Sequence, residues 1–336
     1  MKVLVTGCAG FIGMHCALRL LERGDEVLGL DNLSPYYSVE LKKARLARLN
    51  GARGLRFEQL DLADGARLGA VFDVFRPELV LHLAAQPGVR HSLENPASYV
   101  QANLVAFANL LECCRRHPPR HLVYASSSSV YGGNTTLPWS ESDHVDHPVS
   151  LYAATKKSNE LMAHVYSHLF GLATTGLRYF TVYGPWGRPD MSPVLFARAI
   201  MEDRPIQVFN HGDMQRDFTY VDDIVEGTLR ALDRPAAADP DFDRGSPDPA
   251  TSWAPWRVYN IGNHEPVALL DYIAALERAL GKKAIMELKP MQPGDVKSTY
   301  ADTSRLAAAV GFAPSTPLEA GLARFAEWFK RYYGYD

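Results

Sequence analysis

Cysteine is scarce: the 336 residues hold four, Cys8, Cys16, Cys113 and Cys114, with no C-x-x-C pair and no cysteine–histidine cluster at zinc spacing. This argues against a disulfide framework and a structural metal, so no metal site is expected. No run of about 18 apolar residues occurs, which argues against a membrane span. Lys2–Thr6 reaches Gly7 too soon to form a signal-peptide core. A cytoplasmic protein is the expectation. Nor is there a block of five or six like charges, and 35 Lys+Arg against 38 Asp+Glu leave a net charge of −3. Such a balance offers no arm for nucleic acid and no polybasic patch for a membrane. Internal repeats and low-complexity tracts are missing too. Small-molecule chemistry is favoured, in a chain about twice the usual domain length.

What the sequence has is alternation. Lys2–Thr6, Glu26–Leu30, Leu55–Phe57, Leu79–Leu83, Leu122–Ala125 and Ala173–Arg178 read as strands. Between them Phe11–Arg23, Leu41–Leu49, Arg67–Phe75, Pro96–Arg116 and Leu151–Phe170 carry apolar residues at helical spacing. The pattern predicts an α/β fold of the Rossmann type, a doubly wound parallel sheet with ligands at the C-terminal ends of its strands. After residue 180 the alternation fails. Residues 181–336 are therefore expected to form mainly a smaller C-terminal substrate-binding lobe beside a cofactor domain of residues 1–180. The chain is expected to return to that domain near 218–233 and 257–266. Residues 234–256, dense in Pro, Ala, Asp and Ser, read as a flexible surface insertion. Helical patterns resume at Val267–Leu280 and Leu318–Tyr332.

Three glycines, Gly7, Gly10 and Gly13, stand between the first strand and the first helix at G-x-x-G-x-x-G spacing. They let the chain turn tightly and let a pyrophosphate approach the helix N-terminus. Asp31 closes the second strand. A carboxylate there accepts from both adenosine ribose hydroxyls and repels a 2′-phosphate, so NAD is preferred over NADP. Together with Phe11-Ile12-Gly13, this spacing resembles the extended short-chain dehydrogenase/reductase superfamily. The resemblance implies that Asp61-Leu62 frames the adenine and that Leu83-Ala84-Ala85, after His82, lines the pyrophosphate and nicotinamide ribose. It also makes Asn103 a supporting helix residue, and Asn32 and Tyr179 complete the implied cofactor set.

Tyr152 and Lys156 are one helical turn apart. They follow the strand end Ser126-Ser127-Ser128-Ser129-Val130-Tyr131-Gly132 by about 25 residues, as in the superfamily, so helix and strand end should meet at the switch-point crevice. A tyrosine with an ordinary pKa of about 10 needs roughly 4 kcal/mol in favour of its phenolate to act near neutrality. Lys156 and a positive nicotinamide are expected to supply that field, with Ser127 sharing the proton of a substrate hydroxyl.

Downstream, Arg178–Pro185 and Gly212–Asp223 resemble the nucleotide-sugar epimerase/dehydratase branch. That resemblance makes Arg216 a donor to UDP phosphates, packs Val208-Phe209 on uracil, and places Gly294-Asp295 in the last sugar-nucleotide motif. Gln292 stands where galactose-type epimerases often carry arginine. Members that eliminate water or decarboxylate a uronate usually have Glu or Asp-Glu before Val-Tyr-Gly, whereas this chain has Ser128-Ser129. Without a carboxylic acid there, C4 inversion is favoured. Pro87-Gly88-Val89-Arg90 and Trp186-Gly187-Arg188-Pro189-Asp190-Met191 resemble the UDP-glucuronate 4-epimerase family. The resemblance puts Arg188 at the C6 carboxylate, joined by Thr181, Ser128 and the Pro87-Gly88 loop. It also implies a homodimer through Pro96–Arg116 and Leu151–Phe170. A UDP-glucose/galactose 4-epimerase, a UDP-glucuronate decarboxylase and a non-catalytic NAD-sensing protein stay open as alternatives.

Overall fold

In the computed structural model, which describes residues 1–291 and 297–335, the chain begins as alternating strands and crossover helices. They are β1 (Lys2–Thr6), α1 (Phe11–Glu22), β2 (Glu26–Asp31), α2 (Val39–Leu49), β3 (Leu55–Gln59), α3 (Gly65–Phe75) and β4 (Leu79–His82). Two single-turn helices, α4 (His91–Glu94) and α5 (Pro96–Tyr99), then lead through a π-helical stretch, Val100–Val105, into α6 (Ala106–Arg116). Next come β5 (His121–Ser127), α7 (Leu151–Phe170) and β6 (Thr174–Tyr179). Shorter elements follow: β7 (Thr181–Tyr183), α8 (Ser192–Met201), β8 (Ile206–Val208), β9 (Gln215–Tyr220), α9 (Val221–Leu232) and β10 (Trp256–Ile261). The chain closes with β11 (Pro266–Ala268), α10 (Leu269–Leu280), β12 (Met286–Leu288), β13 (Ser298–Thr299), α11 (Ser304–Val310) and α12 (Leu318–Tyr333).

Seven strands form one all-parallel sheet in the order β10-β6-β5-β4-β1-β2-β3. Successive side chains of a strand point to opposite faces. Leu4, Leu28 and Val80 accordingly join Phe72, Phe107 and Leu110 on one side. Val3, Val5 and Val27 join Met14, Leu20 and Ile224 on the other. Covering both faces with helices is what a parallel sheet requires. Strand order reverses between β1 and β4, so the crevice opens above their C-terminal ends.

The remaining strands build a small second layer. β9 pairs with β7 and β13 in parallel and with β11 antiparallel, while β8 pairs with β12. Val194 of α8, Leu276 of α10 and Phe325 and Phe329 of α12 belong to the same apolar cluster as Val3, so the small layer shares its core with the sheet.

Two elements differ from the sequence reading. Pro96–Arg116 is not one α-helix, because its middle winds as π-helix around Asn103, a distortion common at functional sites. Val267 and Ala268 are strand rather than helix, since β9 captures them by ladder pairing of Val267 with Arg216 and Ala268 with Gln215. Residues 234–256 carry no helix or strand before Trp256. Their end is nonetheless packed: Ala250 and Ser252 are buried, and Asp248 pairs with Arg305 at 2.7 Å. Among the described residues no helix is long and apolar enough to cross a membrane.

Candidate active site

A cleft of about 400 Å3 runs across the strand ends. At one end the chain leaves β1 through Gly7 at φ +72°, whose N–H donates to Leu30 O at 2.7 Å. A Cβ on Gly7 would lie 2.7 Å from the Ala84 backbone nitrogen, and one on Gly13 would overlap the Gly7 carbonyl oxygen. Glycine is thus required for α1 to seat this closely. First-turn N–H groups of a helix lack intrahelical partners, and first-turn residues Phe11, Ile12 and Gly13 line the cleft. With the positive end of the helix dipole, they make an anion site.

Asp31 sits beside this loop, with Oδ2 accepting from Ala9 N at 3.1 Å, Oδ1 from Leu33 N at 2.8 Å, and Lys42 Nζ 3.9 Å away. Asn32 donates from Nδ2 to Asp61 Oδ2 at 3.0 Å, which sets the exposed Asp61 against buried Leu62. Leu83, Ala84 and Ala85 form the floor after β4. These residues can hold a dinucleotide: glycines line the cleft at the helix N-terminus, and a carboxylate closes the adenosine end.

The opposite wall comes from β5 and α7. Ser150 caps α7, its Oγ accepting from Ala153 N at 3.1 Å, and the next turns carry Tyr152 and Lys156. Lys156 is 2% exposed and donates to Ala125 O at 2.8 Å. Burial pushes its ammonium down to about 8. Burial likewise pushes the Tyr152 phenol up, opposed by a hydrogen bond with Ser127 and by the charge of Arg188. Arg188 thus adds a cation whose charge favours the phenolate, while the Lys156 ammonium rests on the Ala125 carbonyl. Ser127 Oγ lies 3.1 Å from Ser129 Oγ, at the head of the 3-10 turn Ser128–Tyr131.

Beneath Ser127 is a fully buried ion pair. Ser126 Oγ donates to Glu160 Oε1 at 2.7 Å, and Arg178 grips the same carboxylate at 2.9 and 3.0 Å. Arg178 also donates to the Tyr131 hydroxyl at 3.0 Å, which passes to Asn260 Oδ1 at 2.7 Å. This network ties α7, β5, β6 and β10 together directly under the serine turn.

Pro87, Gly88, Ser128, Ser129, Thr181 and Arg188 line the cleft near Tyr152. Asn103 stands behind the wall, bracing Gln86 through bonds of 2.8 and 3.1 Å and Thr155 through one of 3.0 Å. Tyr179 lines the cleft, its hydroxyl being 2.9 Å from Thr228 Oγ1 in the core. Val208, Phe209 and Arg216 lie outside the cleft lining, on β8, the turn after it and β9. Arg90 reaches across to stack over Phe209 at 5.7 Å, and Arg216 donates to Gln215 O and Lys297 O. Asp295, with Gln292 and Gly294, lies outside the described residues.

Several residues in or behind the cleft wall escape the sequence reading. Tyr99 donates to the Pro87 and Gly88 carbonyls and packs edge-on against Tyr152, shaping that loop. Arg45, fully buried on α2, donates to Trp186 O, Gly187 O and Ala9 O. Tyr36 and Lys42, which line the cleft, complete the group. A signal existed for two of them: Lys42 and Arg45 sit one turn apart on the same stripe of α2 as buried Leu41 and Leu49.

A glycine cradle facing a serine, a tyrosine and a lysine defines an enzyme that works on a carbinol carbon with a dinucleotide as redox partner. The model of the NAD dependent epimerase/dehydratase family matches residues 3–262. The chain is 52% identical over 333 residues to Protein CapI of Staphylococcus aureus, with 99% of each chain covered. It is 48% identical to a probable UDP-glucuronate 4-epimerase of Rhizobium meliloti (strain 1021), covering 99% of this chain and 98% of the relative. Among solved structures, UDP-glucuronic acid 4-epimerase from Bacillus cereus, in complex with UDP-glucuronic acid and NAD, superposes with a TM-score of 0.85. Identity there is 34%, over 99% of this chain and 100% of that one. The chain belongs to the NAD dependent epimerase/dehydratase family.

Proposed function

We propose that this chain is a UDP-glucuronate 4-epimerase, interconverting UDP-glucuronate and UDP-galacturonate through a 4-keto sugar. The observation that carries the reading is Arg188, a guanidinium that lines the cleft together with Tyr152. A neutral hexose needs no such cation beside the proton-transfer group, and a carboxylate does. The serine turn offers hydroxyls and no carboxylic acid at the positions that serve elimination or decarboxylation.

Bound NAD supplies the hydride acceptor and donor at C4. Gly7, Gly10, Phe11, Ile12 and Gly13 would hold its pyrophosphate, Asp31 and Asn32 the adenosine ribose, and Asp61 and Leu62 the adenine. Leu83, Ala84, Ala85, Tyr179 and Lys156 would form the nicotinamide end, with Asn103 bracing it. Tyr152 takes the proton from the sugar 4-hydroxyl and returns it after the keto sugar has turned over, and Ser127 orients that hydroxyl. Arg188, Thr181, Ser128, Ser129 and the Pro87-Gly88 loop hold the carboxylate. Arg90, Val208, Phe209, Arg216 and Asp295 serve the UDP moiety.

We assign residues 1–180 to the cofactor domain, with returns near 218–233 and 257–266, and the rest mainly to the nucleotide-sugar lobe, with 234–256 as an insertion. A homodimer through α6 and α7 accounts for the exposed Leu161, Val165, Leu169 and Phe170 along α7. A cytoplasmic setting suits a nucleotide-sugar substrate. Substrate comparison tests the reading: Arg188→Ala should raise KM for UDP-glucuronate at least tenfold, in keeping with about 1.5–3 kcal/mol for a charged hydrogen bond. Unchanged UDP-glucuronate turnover in that variant would contradict it.

A further inference from the structure

We infer that Asp190, held by Tyr36, is a positioning residue that fixes the plane of Arg188 and with it the orientation of the substrate carboxylate; this rests on the uronate reading above. A guanidinium can take a carboxylate on its Nε/Nη2 side or on its Nη1/Nη2 end. Asp190 occupies the side, with Oδ1 3.1 Å from Nε and Oδ2 2.5 Å from Nη2. That fork stops rotation of the group and leaves the Nη1/Nη2 end for a second carboxylate. Tyr36 donates to Asp190 Oδ2 at 3.1 Å from the loop between β2 and α2, across the cleft. Arg45 anchors the turn just before Arg188 from the same side, at 2.7 Å to Trp186 O and 3.1 Å to Gly187 O.

Asp190 is a poor choice if affinity alone matters, because its negative charge offsets Arg188 and repels an incoming anion. What it contributes is geometry. Oxidation at C4 makes the uronate a β-keto acid. When the C5–C6 bond aligns with the carbonyl π system, its electron pair moves into the C4 carbonyl and CO2 leaves. The resulting enolate then takes a proton at C5. A carboxylate held so that C5–C6 stays near the carbonyl plane resists this loss, and a guanidinium free to rotate cannot hold it there.

The test uses full-length Asp190→Asn and Tyr36→Phe proteins with UDP-glucuronate labelled at the carboxyl carbon. It counts CO2 released per UDP-galacturonate formed. This ratio does not depend on how much enzyme is active, so mere weakening of the fold leaves it unmoved. Asp190→Asn should raise it about tenfold or more, as an ångström-scale misplacement does, with KM for UDP-glucuronate no higher than in the wild type. Tyr36→Phe, which lacks only a hydroxyl, should raise it several-fold and decides the matter if Asp190→Asn does not fold. An unchanged ratio, whatever happens to kcat, would overturn the inference. Wild-type protein that leaves UDP-glucuronate untouched would instead sink the uronate reading, and the inference with it.

Discussion

Replacing Lys156 with methionine should remove activity and yet make the cofactor-free protein more stable. Lys156 is 2% exposed, donates to Ala125 O at 2.8 Å, and is paired with no carboxylate among the described residues. Burial lowers its pKa from 10.5 to about 8. Between those values the unfolded chain keeps a proton that the folded chain releases, so stability rises with pH across that window. At pH 7, below both, the folded protein bears the whole cost of the buried charge, about 3 kcal/mol. Methionine keeps most of the stem and forfeits one hydrogen bond of about 1 kcal/mol. The net gain of about 2 kcal/mol corresponds to a Tm rise of about 3 °C. Thermal melts of NAD-free wild-type and variant protein from pH 7 to pH 10.5 would show the gap closing as the wild-type lysine loses its proton in both states. A variant that melts at or below the wild type at pH 7, or a gap constant with pH, would refute the reasoning.

Glu160→Ala leaves Arg178 buried without its counter-ion and should cost about 3–5 kcal/mol in urea unfolding. Burial alone would raise the Glu160 carboxyl, but Arg178 holds it below the usual range. Its contribution to stability is therefore present above the unfolded pKa of about 4.3 and lost as pH falls through the folded value. Acid melts of Glu160→Gln should show a shallower loss there than the wild type. Tyr152→Phe should lower kcat by about 10²–10⁴ while NAD content and UDP-glucuronate affinity, measured by chromatography and calorimetry, stay near wild type. Gly13→Ala drives a methyl into the Gly7 carbonyl, so the purified variant should carry far less NAD per chain when cofactor is released by denaturation and quantified.

Legibility followed locality. The glycine turn, Asp31 and the pair Tyr152 and Lys156 lie within single strand–turn–helix units, where spacing alone sets geometry, and each lines the cleft. Position-by-position pattern carries little about partners far apart in the chain. Tyr36 meets Asp190 across 154 positions and Arg45 meets Trp186 across 141, contacts that only the packing of the small layer on the sheet creates. The same reason explains Val267 and Ala268: their apolar spacing suits the start of α10, but ladder bonds to β9 outweigh it. The π-helical turn at Asn103 was hidden because apolar periodicity is almost unchanged by one wide turn. What required that turn, the grip on Gln86 and Thr155, is tertiary.

The most direct test is to incubate the purified protein with UDP-glucuronate, without added cofactor, and follow the sugar by proton NMR and mass spectrometry. Uronate epimerisation by resident NAD predicts unchanged mass and a new galacto-type H4 signal. A loss of mass equal to CO2, or an unaltered spectrum, would contradict it.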